Sequence, residues 1–221
     1  GDSKKILAVV KADAYGHGAL PLSKKGLEAG VDMLGVGIVE EGIELREKGI
    51  DAPILVLGGI LENQVEEIVD YDLSLVLFSE KVATLLSKRA VEKGKVVRVH
   101  VKVDTGMVRL GIPLHEVLGF FKKIWDLKGI EVEGVLTHLA CADEKEKEMT
   151  KIQLSRFDEI LKELRAGQFE VPLAHAANSA AIINFPESYY SMVRPGIMLY
   201  GSYLGEKSKE LTLKPVMTWK T

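Results

Sequence analysis

Short apolar runs rich in β-branched residues recur along the chain, and between them apolar side chains return at helical spacing. Eight runs can be read. They centre near Val9, Gly35 (Met33 to Val36), Val56 (Ile54 to Leu57), Val76 (Leu73 to Phe78), Val101 (Val97 to Val103), Val135 (Val132 to Thr137), Ala174 (Leu173 to Ala177) and Ile197 (Met192 to Tyr200). The intervening stretches predict helices over 19–29, 40–48, 62–69, 80–93, 115–127, 147–165 and 179–184. Val39 to Gly49 shows the logic: one apolar stripe, a charged outer face and a glycine stop. Strands that alternate with helices build βα units and a parallel sheet, and eight of them imply an α/β fold closed into a (β/α)₈ TIM barrel. An open doubly wound sheet is the competing architecture. It normally carries a GxGxxG fingerprint after its first strand, which Lys11 to Gly18 does not fit.

Composition narrows the function. A chain of 221 residues, 47% hydrophobic and 28% charged, can bury a full core, so disordered and collagen-like classes are excluded. The formal net charge is -3 with acids and bases interspersed, which offers neither nucleic acid nor membrane a basic face. Small-molecule chemistry is the better expectation, and no metal site is expected. Cys141 has no partner for an internal disulfide, and no run is long enough for a bilayer span or signal-peptide core; a cytoplasmic protein is expected. The mixed-charge cluster Asp143 to Glu148 reads as a solvated helix start. The first residue is not methionine, and Val216 to Thr221 reads as the opening of a strand, so the chain reads as a fragment.

Barrel enzymes place their sites where strands end. Here the first run ends in Lys11-Ala12-Asp13-Ala14-Tyr15-Gly16-His17-Gly18, and the fifth in Lys102-Val103-Asp104-Thr105-Gly106-Met107-Val108-Arg109-Leu110-Gly111. The sixth ends in Thr137-His138, the seventh in His175-Ala176-Ala177-Asn178-Ser179, and the eighth holds Arg194-Pro195-Gly196-Ile197. Five strand ends would converge on one mouth. A lysine leaving a buried strand is partly desolvated, and a neutral amine can condense with a carbonyl. A lone lysine at a strand end is otherwise simply solvated. Asn178-Ser179 equally suits a helix N-cap, Arg194 a surface ion pair, Arg109 a loop arginine capping carbonyls and His138 a packed core histidine.

The Lys11 octapeptide strongly resembles the pyridoxal-phosphate attachment site of alanine racemases. The other four segments match that family as well, and the resemblance runs from about Ile6 to Thr221. It implies that Lys11 holds pyridoxal 5'-phosphate covalently and serves as one acid/base group. Tyr15 and Ser179, beside Asn178, would bind the cofactor phosphate together with backbone N–H groups of Gly196 and Ile197, a placement that barrel physics also favours. Arg194 would donate to the pyridine nitrogen, keeping it unprotonated and the ring a weaker electron sink, which suits an enzyme that moves one proton. His138 would hydrogen-bond Arg194, with His175 behind it. Arg109 would face the phenolic oxygen and the substrate carboxylate. Lys102 matches a position carbamylated in many members, a change that would orient Arg109. Asp104 is expected to order the glycine turn, and His17 to bond within its own.

The resemblance further implies residues 1–206 as the cofactor barrel and 207–221 as the start of a C-terminal β domain, with the family's leading strand and helix absent. In the family the second base is a tyrosine from the partner subunit's C-terminal domain. None of Tyr71, Tyr189, Tyr190, Tyr200 or Tyr203 lies in a matching segment. The implied activity is interconversion of L- and D-alanine by a homodimer, supplying D-alanine for peptidoglycan, with this polypeptide alone nearly inactive. A serine or broad-specificity racemase on the same scaffold, or a barrel that binds pyridoxal phosphate without racemising, are the alternatives.

Overall fold

Alternation along each strand sorts side chains between the barrel axis and the surrounding helices. In β1 (Lys5–Val9), Leu7 and Val9 join the interior cluster while Ala8 packs outward with Val10. The computed structural model describes residues 4–202 and 211–218. The strands that follow are β2 (Met33–Val36), β3 (Ile54–Val56), β4 (Ser74–Leu77), β5 (Val97–Asp104), the two-residue β6 (Ile112–Pro113), β7 (Ile130–Leu136), β8 (Leu173–His175) and β9 (Met192–Val193). All pairings are parallel, in the order β8-β7-β5-β4-β3-β2-β1-β9, with β6 attached to β5. The two ends of that path meet: Ser191 N–H donates to Ala174 O (3.1 Å), Ala174 N–H to the Ser191 hydroxyl (2.6 Å) and Arg194 N–H to Ala177 O (3.0 Å). An eight-stranded, nearly closed TIM barrel results, as the pattern implied.

Helices Ala19–Glu28, Val39–Glu47, Val65–Asp70, Glu80–Glu92, Val117–Ile124, Glu148–Ala166 and Ser179–Asn184 follow the strands. Two are shorter than their patterns suggest because their first turns, Glu62–Gln64 and Leu114–Glu116, are 3₁₀. The Glu148–Ala166 helix buries Thr150, Gln153, Leu154, Phe157, Ile160, Leu161 and Leu164, one stripe at helical spacing. Gly49 ends Val39–Glu47 at φ +80°, with Ile50 N–H returning to Leu45 O at 3.0 Å.

Three features depart from the pattern. The eighth run is a strand only at Met192–Val193, because Pro195 has no N–H to extend a ladder, and Ile197–Tyr200 is a 3₁₀ turn. The segment after β1 is a left-handed turn: Ala12, Asp13, Ala14 and Tyr15 lie at φ +50° to +55°, although none is glycine. Each such residue costs about 1–2 kcal/mol. Finally, residues 211–218 carry no strand, and Val216 N–H donates to Tyr200 O at 3.2 Å. Residues 207–210 and 219–221, where the expected second domain would open, lie outside the described residues, as does Tyr203.

Candidate active site

The carboxyl ends of the strands surround a cavity of about 520 Å³. Its wall holds Lys11, Tyr15, Lys102, Arg109, His138, Asn178, Ser179, Arg194, Gly196 and Ile197, so every site residue expected from the sequence is brought to one place. The remaining wall is Val9, Gly37, Leu57, Gly58, Leu110 and Leu136. Among the described residues, four cations line this space and no carboxylate does. Lys11 is exposed at the rim rather than buried with the strand it leaves. Its ammonium lies 5.9 Å from the Tyr15 ring centre.

The left-handed turn that carries Lys11 is held by contacts the sequence did not advertise. Glu41, on the Val39–Glu47 helix, accepts from Ala12 N–H through Oε1 (2.6 Å) and from Gly37 N–H through Oε2 (2.6 Å). Asp13 Oδ1 accepts from Ala19 N–H at 2.6 Å, and Ala14 N–H returns to Val10 O at 2.8 Å. The His17 ring contacts Ala14 O and Tyr15 O, both at 3.0 Å, and stacks on Tyr200, so it bonds within its turn as expected. Charge-assisted and backbone bonds of this kind offset the torsional cost and fix where the lysine leaves the strand. Burial pushes the Tyr15 hydroxyl above its usual pKa, keeping it a neutral donor.

Across the mouth, Asn178 caps the Ser179–Asn184 helix by accepting from Ala181 N–H (3.0 Å) and donates to Leu139 O (3.2 Å). Ser179 Oγ accepts from Gly196 N–H (2.9 Å) and Met198 N–H (3.4 Å). The Gly196 amide is thus spent on the serine rather than free for an anion. The serine's own hydroxyl proton is the donor left for one. A Cβ at Gly196 would stand 2.9 Å from the Tyr15 hydroxyl oxygen, so a larger residue there would displace that hydroxyl.

A family model described as "Alanine racemase, N-terminal domain" matches residues 1–204. The chain belongs to the alanine racemase family. An alanine racemase of Halothermothrix orenii is 47% identical over 100% of this chain and 59% of its own length. One of Methanococcus maripaludis is 44% identical over 98% and 59%. Among solved structures, the Clostridium difficile 630 alanine racemase in complex with cycloserine superposes with a TM-score of 0.94 at 36% identity, covering 97% of this chain and 60% of that one. The Bacillus anthracis alanine racemase with bound L-Ala-P gives 0.90 at 34%, covering 97% and 56%. This chain therefore spans about three-fifths of the length of these relatives.

With the family established, Arg194 is the most tightly held group of the site. It is buried rather than at the surface, and burial draws its pKa down to about 10, so it stays a cation at neutral pH. Its Nη2 donates to Thr137 O (2.8 Å) and Ala176 O (3.0 Å), and its Nη1 to His175 Nδ1 (3.0 Å). The expected contact with His138 is its longest, at 3.5 Å, so His175 is the principal histidine partner. Burial first, then the cations Arg194, Lys102, Arg109 and Lys11, lower the His138 pKa to about 3; the ring is neutral at any working pH. Gln153, missed in the sequence, anchors this strand end by donating to His138 O (3.0 Å) and Thr105 Oγ1 (3.1 Å) while accepting from Ala140 N–H (2.9 Å).

Lys102 is only 5% exposed, and burial, then Arg194 and Arg109, lowers its pKa to about 8. Asp104 Oδ1 accepts from Gly106 N–H (2.9 Å) and Val108 N–H (3.1 Å), ordering the glycine turn as expected. That turn presents Arg109 exposed at the mouth. No helix among the described residues is long and apolar enough to cross a membrane.

Proposed function

We propose that this chain forms the cofactor-binding barrel, residues 1–206, of a pyridoxal-phosphate-dependent alanine racemase, with 207–221 leading into a C-terminal β domain. The activity is interconversion of L- and D-alanine by a cytoplasmic homodimer, supplying D-alanine for peptidoglycan. The observation that carries this reading is the charge of the cavity: Lys11, Lys102, Arg109 and Arg194 face it with no carboxylate among the described residues, so it suits a ligand with both a phosphate and a carboxylate to neutralise. Its volume lies within the range of small-molecule sites, about 300–1,000 Å³.

Pyridoxal phosphate, when bound, supplies an aldehyde and an electron-withdrawing ring. Lys11 Nζ would hold the cofactor through its aldehyde carbon and move a proton at the substrate Cα. Tyr15, Ser179 and the Ile197 backbone would hold the phosphate, with Asn178 and Gly196 fixing the serine. Arg194 can only donate, so it would keep the pyridine nitrogen unprotonated and limit side reactions. Arg109 would receive the substrate carboxylate, and His138 would contribute a neutral imidazole beside Arg194. Lys102, a neutral amine in an appreciable fraction of molecules near pH 8, takes up carbon dioxide as a carbamate with release of a proton, which turns one of four crowded cations into an anion facing Arg109.

Racemisation needs a second acid/base group on the opposite face. The hydroxyls of Tyr200, Tyr189 and Tyr190 are engaged by Val9 O, Ile182 O and Asp158, and that of Tyr71 faces Glu47. By its family membership we assign the second base to a tyrosine of a partner's C-terminal domain, and the isolated chain should bind the cofactor yet racemise poorly. Borohydride reduction of the chain with pyridoxal phosphate should place the label on the Lys11 peptide, and Lys11→Ala should remove it. Labelling of a different lysine would overturn the assignment. Alanine turnover by the isolated chain near that of a complete homodimer would overturn the claim of a missing base.

A further inference from the structure

Behind Arg194 and its partner His175 the barrel interior continues into polar groups, His100 and Glu133, that the racemase reading does not use. His175 Nδ1 meets Arg194 Nη1 at 3.0 Å; its Nε2 meets His100 Nδ1 at 2.9 Å; and His100 Nε2 meets Glu133 Oε2 at 3.0 Å. Both histidines are fully buried. We propose that Glu133 is a remote positioning residue for Arg194, acting through His100 and His175, whose ring hydrogens are both fixed on Nε2.

The direction follows from what each end can do. A guanidinium only donates, so His175 Nδ1 must accept, and the ring's hydrogen sits on Nε2. That hydrogen is given to His100 Nδ1, which leaves the His100 hydrogen on Nε2, where a carboxylate can only accept it. A second hydrogen on either ring would set donor against donor. The chain is therefore single-valued from Arg194 to Glu133, and every buried nitrogen in it has a partner. The charge at its far end is maintained: the His100 hydrogen bond first, and the nearby Arg98 and Lys5, hold the Glu133 carboxyl below its usual pKa.

Two irregularities of the backbone serve this row. The register between β5 and β7 shifts at this point, with Val99 opposite Val132 and His100 opposite Gly134, so Glu133 is the extra residue of a bulge. Gly134 is bare where it must be, since a Cβ there would stand 2.3 Å from His100 Nδ1. A bulge that re-aims one carboxylate and a glycine that clears one ring are devices for this contact. The far end of the barrel, where Glu133 sits, is thereby tied to the fork that faces the mouth.

The test uses the whole chain, labelled with nitrogen-15 in histidine and arginine, without added ligand, so it stands whether or not pyridoxal phosphate is the cofactor. Long-range proton–nitrogen correlation at neutral pH should show His100 and His175 each with one hydrogen, on Nε2. Glu133→Ala should move the His175 Nδ1 resonance, though the two residues do not touch, and speed exchange of the His100 Nε2 hydrogen about tenfold, as for the loss of a hydrogen bond of about 1.4 kcal/mol. Glu133→Gln retains an oxygen at the same reach and should restore both readouts. Should the alanine variant not fold, the native hydrogen positions together with the glutamine variant decide the matter. A hydrogen on Nδ1 of either ring in the native chain, or a His175 resonance indifferent to Glu133→Ala, would overturn the assignment.

Discussion

Strands β1 to β4 send Leu7, Val9, Met33, Leu55 and Val76 toward the barrel axis, whereas β5, β7, β8 and the residue after β9 send His100, Lys102, Glu133, His175 and Arg194. The first half is filled by shape: its side chains exclude water and any of them could exchange for another of similar volume. The second adds Leu136, Leu173 and Met192 to that apolar cluster, but the rest of its interior is filled by donors and acceptors whose partners are specified one by one, so a single change is felt several residues away. The cavity lies where the two meet. Its apolar wall comes from Val9 and Leu57 on one side and Leu110 and Leu136 on the other, and its charges come mainly from the polar half.

If that division is right, truncation in the apolar half should lower stability without touching the chemistry. Leu55 is fully buried in the interior cluster, and Leu55→Ala should cost about 2–5 kcal/mol by denaturant titration. Labelling of Lys11 in the folded fraction should be unchanged. A loss under about 1 kcal/mol would show that the interior collapses around the gap and that shape is not what this half supplies.

The two halves were also unequally legible. Runs such as Ile6 to Val10 and Ile54 to Leu57 announce strands because both faces of a barrel strand are buried, and the residues at the ends of such runs line the cavity. In Val97-Arg98-Val99-His100-Val101-Lys102-Val103 the alternation is plain, yet it points the opposite way from a simple amphipathic strand: the valines face the helices and the polar residues face the axis. What could not be read depends on distant pairs. Glu41 bonds Ala12 across 29 residues, and His100 meets His175 across 75. Neither local propensity nor spacing reports such contacts. The left-handed turn at Ala12 to Tyr15 was hidden because it uses residues that avoid that conformation on their own and enter it only under surrounding bonds.

The polar half contains one residue whose charge lacks the compensation its neighbours have. Between the folded pKa of about 8 and the unfolded 10.5, the unfolded chain holds the Lys102 proton more tightly than the folded one. Its penalty is fully present below about pH 8 and disappears as the pH passes 10.5. Lys102→Met should therefore stabilise the chain at pH 7 in carbonate-free buffer, by on the order of 2 kcal/mol, with the gain shrinking as the pH rises through that window. Adding carbon-13 bicarbonate to the native chain should give a carbamate resonance that the variant lacks and should narrow the stability gap. A variant less stable than the native chain at pH 7 would show that Lys102 is compensated after all.

The smallest effect is expected at the seam between the halves. Tyr200, in the turn after β9, donates its hydroxyl to Val9 O at the end of β1 (2.7 Å) and packs its ring against Tyr15 and His17. Burial, and then Tyr15, raise its pKa well above the usual phenol value, so it is a neutral donor throughout. Tyr200→Phe keeps the ring contacts and deletes one hydrogen bond, leaving Val9 O without that donor, for a loss of about 1 kcal/mol. Because the aromatic stack is retained, the Lys11 turn should hold its place and labelling at Lys11 should proceed at the native rate. A loss above about 3 kcal/mol, or slowed labelling, would mean that this hydroxyl carries the junction and that the halves are joined by a polar contact rather than by packing.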